Sequence, residues 1–222
     1  MTPLRIHKTN QGFTLIEILV VLVLSLVVLG AVLNIFIMQN QTSTAQQEIT
    51  YAQQNVRAAM DLMMREIRNA GYDPTGTVFN TGNLPIAQAT GTLIQVRSDY
   101  RGANPDDPPN GAIEPSEDVT YSLNAQSQLE RNGNLLVNSP GGLSFGYVLA
   151  DGTVYDPPAP GDPPVDLSNI GTPPQDRRDE IRAVIIFIAV ATEHEAPDTG
   201  EYRLRSLMNA TSIRNLRFQD ID

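Results

Sequence analysis

Gly12-Phe13-Thr14-Leu15-Ile16-Glu17, running on through Ile18-Leu19-Val20-Val21-Leu22 into an apolar stretch that ends at Met38, decides how this chain is built. Between Phe13 and Met38 Glu17 is the only charged residue, and Thr14, Ser25 and Asn34 are the only other polar side chains. About 20 apolar residues cross a bilayer as a helix, so residues 13–38 read as a single transmembrane helix. An ionised carboxylate in hydrocarbon costs about 2.5–3.5 kcal/mol on insertion scales and normally faces a partner rather than lipid. Glu17 is therefore a candidate functional residue.

Residues 1–12 carry Arg5, His7 and Lys8 and no acid. Basic residues flanking a span stay in the cytoplasm, so the rest of the chain is expected outside. A cleaved signal peptide has a similar start, but its apolar core is shorter and it ends in a small-residue cleavage site. Here Met38 is followed by the polar Gln39-Asn40-Gln41-Thr42. A plain signal anchor accounts for the apolar run and leaves Gly12 and Glu17 unexplained.

Residues 12–22 resemble the prepilin N-terminal cleavage and methylation motif of type IV pilins and type II secretion pseudopilins. The resemblance implies that a membrane-embedded prepilin peptidase cuts between Gly12 and Phe13 and that Phe13 is then N-methylated. Glycine at the cut offers no side chain to obstruct the protease and leaves the backbone free. Cleavage exposes a cationic amine on Phe13. Glu17 lies four residues further on, the spacing of one helical face, and the resemblance implies that it pairs with the N-terminal amine of a neighbouring subunit during assembly. The implied partners are the peptidase and methylase, other major and minor pilins, an inner-membrane assembly platform and the lipid bilayer. The implied location is the bacterial inner membrane, single pass, with the N-terminus cytoplasmic and the C-terminal domain periplasmic until it enters a pilus.

The chain has 222 residues, of which 41% are hydrophobic, enough for one ordinary globular domain beyond the anchor. Cysteine is absent, which excludes disulfides, thiolate catalysis and Cys-based zinc sites. The formal net charge is −10, and loss of the basic leader makes it more negative. Such a surface repels nucleic acid.

Residues 39–70 contain no Gly or Pro, so the helix is expected to continue as an amphipathic segment over 39–71. Val56, Met60, Met63 and Ile67 recur at three- and four-residue intervals and form its apolar stripe, with Arg57, Asp61, Arg65 and Arg68 on other faces. Gly71 and Pro74 are stop signals. A globular β-rich domain is expected over 72–222, with strands at 92–98, 118–123, 135–138, 143–149, 183–192 and 202–207. Asn132-Gly133-Asn134 reads as a hairpin turn after Leu129-Glu130-Arg131. The apolar run 183–190 is expected to be the central buried strand. The fold class is thus α+β, a long N-terminal transmembrane helix packed on a C-terminal antiparallel β-sheet domain, as the resemblance to type IV pilins also implies. Residues 102–115 and 156–174, dense in Pro, Gly and Asp, read as solvated loops within that domain.

Met60 to Tyr72, ending Arg68-Asn69-Ala70-Gly71-Tyr72, resembles the helix end of PilW-like minor pilins. Val119-Thr120-Tyr121-Ser122-Leu123, Phe145-Gly146-Tyr147 and Asp151-Gly152 resemble the same group and the related J-type pseudopilins of type II secretion. Catalytic constellations are missing: there is no G-x-S-x-G elbow and no phosphate-binding glycine loop, and His194 lacks the second histidine of zinc peptidase motifs. Asp106, Asp107, Asp162, Asp166, Asp176 and Asp179 follow no EF-hand pattern and serve loop solubility better than calcium binding. The sequence points to no enzyme and no cofactor. It points to a structural minor pilin, with a type II secretion pseudopilin and a signal-anchored ligand-binding or adhesin module as the alternatives.

Overall fold

The computed structural model describes residues 13–104, 106–137, 142–158, 162, 165–171, 175–191 and 204–215. Helix α1 spans Leu15–Arg68, 54 residues. Contacts divide the chain into two units, Met1–Gln46 and Gln47–Asp222.

In the first unit every described side chain from Phe13 to Thr44 is exposed. Leu, Val and Ile dominate that stretch, and from Leu15 on it is helical with no side chain buried among the described residues of its unit up to Thr44. An apolar surface of this kind belongs against lipid or other helices.

In the second unit the remainder of α1 lies on a β-domain. Val56, Ala59, Met60, Met63 and Ile67 are its buried residues, which matches the expected stripe and adds Ala59. Arg57, Asp61, Arg65 and Arg68 are exposed. The helix ends at Arg68, three residues before the expected 71. Gly71 adopts a φ of 77°, the left-handed conformation that glycine enters without a Cβ penalty. The carbonyls at the end of α1 and in the turn after it, which no helical amide reaches, are met in part from far along the chain. The Arg214 amide donates to the Arg68 carbonyl at 3.1 Å, and the Asn215 side-chain amide donates to the Asn69 and Ala70 carbonyls at 3.3 Å each.

The expected antiparallel β-sheet domain follows the helix, and it is made of two sheets. The first takes the order β1-β2-β3-β4-β5, from β1 (Ile86–Ala89), β2 (Leu93–Arg97), β3 (Asp118–Leu123), β4 (Leu129–Arg131) and β5 (Asn134–Val137). The second takes the order β7-β6-β8-β9, from β6 (Leu143–Leu149), β7 (Val154–Tyr155), β8 (Ile181–Ala191) and β9 (Leu204–Ser212). The β4–β5 turn confirms the hairpin, because Asn132 (φ 51°) and Gly133 (φ 73°) both take the positive φ that a two-residue turn of this hand requires. The sheets meet through hydrogen bonds to main-chain carbonyls of the β1–β2 turn. The Phe145 amide donates to the Gly91 carbonyl at 2.8 Å, and the buried Tyr147 hydroxyl donates to the Thr90 carbonyl at 2.7 Å.

The expected role of 183–190 needs correction. β8 is interior to its sheet, but it buries Val184, Ile186, Ile188 and Val190 while Ile185 and Phe187 on the other face stay half-buried. β6 is the strand covered on both faces. Gly146 makes that possible: a Cβ there would sit 2.5 Å from the Tyr155 carbonyl oxygen and 2.6 Å from Pro157 Cδ, so only glycine lets the β7 segment cross so closely. The α1 stripe and the inner residues of both sheets form one core, including Ile94, Tyr121, Phe145, Tyr147 and Ile186. Each large side chain buried there contributes about 1.5–3 kcal/mol.

Candidate processing and assembly site

The candidate site is the start of α1. Phe13 and Thr14 precede the helix, which opens at Leu15. Thr14 sets that opening. Its Oγ1 accepts the Glu17 amide at 3.3 Å, and its carbonyl accepts the Glu17 and Ile18 amides at 3.1 and 3.2 Å. A hydroxyl just ahead of the first turn satisfies one of the amides that a helix start leaves unpaired. Glu17 then stands third in the helix, within the first turn, where the helix dipole favours negative charge.

This geometry alters one expectation. Phe13 and Glu17 share a face only if both are helical, and with Phe13 ahead of the Thr14 cap they do not have that relation. Phe13 is 79% exposed, Glu17 is exposed, and the Glu17 carboxylate makes no hydrogen bond or ion pair among the described residues. Gly12 and the rest of the leader, including His7, lie outside the described residues, as does His194. Further along α1 the Ser25 hydroxyl donates to the Val21 carbonyl at 2.7 Å, so this polar group makes its bond inside its own helix.

Residues 7–33 match the prokaryotic N-terminal methylation motif. The match supports a type IV prepilin-like protein, processed by prepilin peptidase and associated with other pilins. It lies wholly within the first unit. No curated protein and no solved structure matches the chain. The prepilin-type motif together with an apolar helix at hand to anchor it points to a membrane-anchored structural subunit.

Among its described residues the β-domain shows no corresponding centre. Among the described residues no three His, Asp or Glu side chains gather as metal ligands. Asp107 accepts both amides of Asn104, at 3.2 Å from the main chain and 2.6 Å from the side chain. Asp166 accepts the Ser168 amide and hydroxyl at 2.9 and 2.7 Å. Asp176 pairs with Arg178 at 2.6 Å. These acids close turns. Asp73 does the same, and although burial raises its pKa, hydrogen bonds from Thr75 and from the Val78, Phe79 and Gly76 amides outweigh that and hold it below the usual carboxylate value.

Three features are not evident from the sequence pattern used above. Thr14-Leu15-Ile16-Glu17 is a hydroxyl-x-x-acid pattern ahead of an apolar run, a signature of a helix start that identifies Thr14. Glu66 on α1 accepts the Tyr121 hydroxyl and binds Arg131 through Nε at 3.1 Å and Nη2 at 2.8 Å. Burial and then the Glu66 contact push the Tyr121 pKa well above its ordinary value, so the phenol stays a donor. Glu117, 1% exposed, accepts the Tyr100, Arg101 and Glu114 amides at 2.7–2.9 Å and so stitches the loop 102–115 to the domain. Glu66, and Glu117 through Tyr100 and Arg101, depend on partners distant in sequence, which no local pattern announces.

Proposed function

We propose that this chain is a minor pilin of a type IV pilus machine, cut between Gly12 and Phe13, N-methylated on Phe13, and transferred from the bacterial inner membrane into a filament or its tip or priming complex. Residues 1–12 are then the leader, 13–38 the membrane and assembly helix, 39–71 its amphipathic continuation and 72–222 the periplasmic domain, with Pro- and Asp-rich loops at 102–115 and 156–174. The observation that carries this reading is the exposed apolar segment from Phe13 to Met38, helical from Leu15, that overlaps the methylation motif. Such a surface is stored in lipid and later covered by neighbouring helices, whose packing replaces lipid contact without a hydrophobic penalty. Membrane platform proteins and other pilins are the partners this demands.

A type II secretion pseudopilin uses the same helix and the same processing. The PilW-like ending Arg68-Asn69-Ala70-Gly71-Tyr72 favours the pilus reading. The two are separated by deleting the gene and scoring surface piliation against secretion of folded cargo.

Processing is tested by mass analysis of the N-terminus of the membrane-bound protein in cells with active peptidase. The expected species begins at N-methylated Phe13, and Gly12→Val leaves the precursor intact because a branched side chain blocks the cut. An intact Met1 terminus in the wild-type protein rejects the prepilin reading and leaves a signal-anchored binding module.

A further inference from the structure

We propose that Arg57, Arg65, Arg68 and Arg214 form a docking surface for the carboxylates of a second, unlike pilin subunit. This rests on the pilin reading above and adds a contact that lies in the second unit, outside the methylation motif. Arg57, Asp61, Arg65 and Arg68 follow one another at four- and three-residue steps, which places them on one face of α1, and all are exposed. Arg214, also exposed, joins them at the helix end, where its amide donates to the Arg68 carbonyl at 3.1 Å. None of these side chains makes a hydrogen bond or ion pair among the described residues, although Asp61 is spaced to pair with Arg57 or Arg65. Other arginines of the unit are engaged. Arg97, Arg131, Arg177 and Arg178 each hold a carboxylate, Arg101 bonds Ser116 Oγ, and Arg182 bonds main-chain carbonyls.

The dipole of α1 favours cations in its last turn, which accounts for Arg65 and Arg68. It does not account for Arg57, about three turns upstream, or for Arg214, which enters from beyond β9. Like charges gathered on one surface repel each other, and an acidic surface laid over them relieves that cost. The guanidinium fork matches a carboxylate through two parallel hydrogen bonds. Beside Arg57 a hollow of about 200 Å³ opens between α1 and β9, lined by Gln53, Val56, Arg57, Ser206 and Leu207. Val56 and Leu207 give it apolar walls, so it takes a side chain next to the carboxylate, which a protein surface supplies and a phosphate backbone does not. With 25 acidic against 15 basic residues, the chain as a whole repels nucleic acid and a second copy of itself at long range. The occupant is therefore a different pilin subunit with an acidic face.

The test co-expresses the tagged full-length chain with prepilin peptidase and each other pilin of its machine in turn, and measures in mild detergent how much of that pilin the chain retains. The wild type should retain at least one of them, and retention should fall at about 0.5 M salt, where charges are screened within a few ångströms. Arg65→Glu combined with Arg68→Glu turns attraction into repulsion and should reduce retention about tenfold at low salt, with leader removal unchanged. Arg65→Gln combined with Arg68→Gln only removes charge and should fall between the two. A charge-reversed variant that retains the pilin like wild type overturns the inference while leaving the pilin association intact. A loss that high salt fails to reproduce in the wild type also overturns it, because the substitutions then act through the fold. A wild type that instead retains its own second copy, or duplex DNA, through these arginines overturns the choice of partner. A wild-type chain that retains no pilin overturns the association itself and this inference with it.

Discussion

Glu17 is the residue whose placement costs most and which no other described residue compensates. A carboxylate inside an otherwise apolar segment is tolerated when a cation meets it. Under the processing proposed above, that cation is the amine of a second subunit's Phe13. Glu17→Leu should therefore leave insertion and leader removal intact, since it makes the segment more apolar, and should strip the processed protein from sheared filaments. Glu17→Gln keeps the shape and loses the ion pair, and it should fall between the two if hydrogen bonding contributes. The ratio of processed protein in filaments to that in membranes is the measurement, and a Leu variant that assembles like wild type removes Glu17 from the mechanism.

The elements show why α1 docks as it does. Met60 and Met63 are 1% and 0% exposed, and the Glu66 carboxylate ties the same helix to β3 and β4 through Tyr121 and Arg131. Met63→Ala should cost about 2–5 kcal/mol, as truncating a buried side chain leaves a cavity that its neighbours only partly fill, read as a lowered midpoint in urea at unchanged slope. The stripe is legible in sequence because four apolar residues at three- and four-residue spacing line one face of a helix and fit no alternating strand. β3 and β6 are legible to the residue, since β-branched and aromatic runs bounded by polar turns define them locally. β1 is hidden because Ile86-Ala87-Gln88-Ala89 is short and alanine-rich, and β7 because it has only two residues. The split into two sheets is not legible. Strand order depends on which distant strands pair, and nothing local in 143–149 says that it joins β8 rather than β5. The helix begins two residues later than the apolar run suggests, because Thr14 caps that run instead of belonging to it.

For the whole molecule, the large exposed apolar residues are concentrated from Phe13 to Met38, and beyond them only a few scattered side chains such as Tyr51, Leu135 and Met208 are exposed among the described residues. A chain beginning at Gln39 should be soluble without detergent and monomeric by light scattering, and aggregation at micromolar concentration would place an unrecognised sticky surface on the domain. Its stability should fall in acid. Asp151, bonded first by Thr153 and then by Arg177, has its pKa lowered to about 2, and Asp73 is also depressed below 3.8. Both carboxyls are more acidic folded than unfolded, so their contribution is present above 3.8 and is lost as pH falls from there through their folded values. Asp151→Asn should flatten that part of a melting-temperature profile against pH. The bonds from Arg214 and Asn215 to the carbonyls of Arg68, Asn69 and Ala70 make the end of the helix a place where the two ends of the β-domain's sequence meet: a chain cut back before Arg214 leaves the Arg68 and Ala70 carbonyls without these partners, and the loss should be felt at the helix end rather than at the truncated edge.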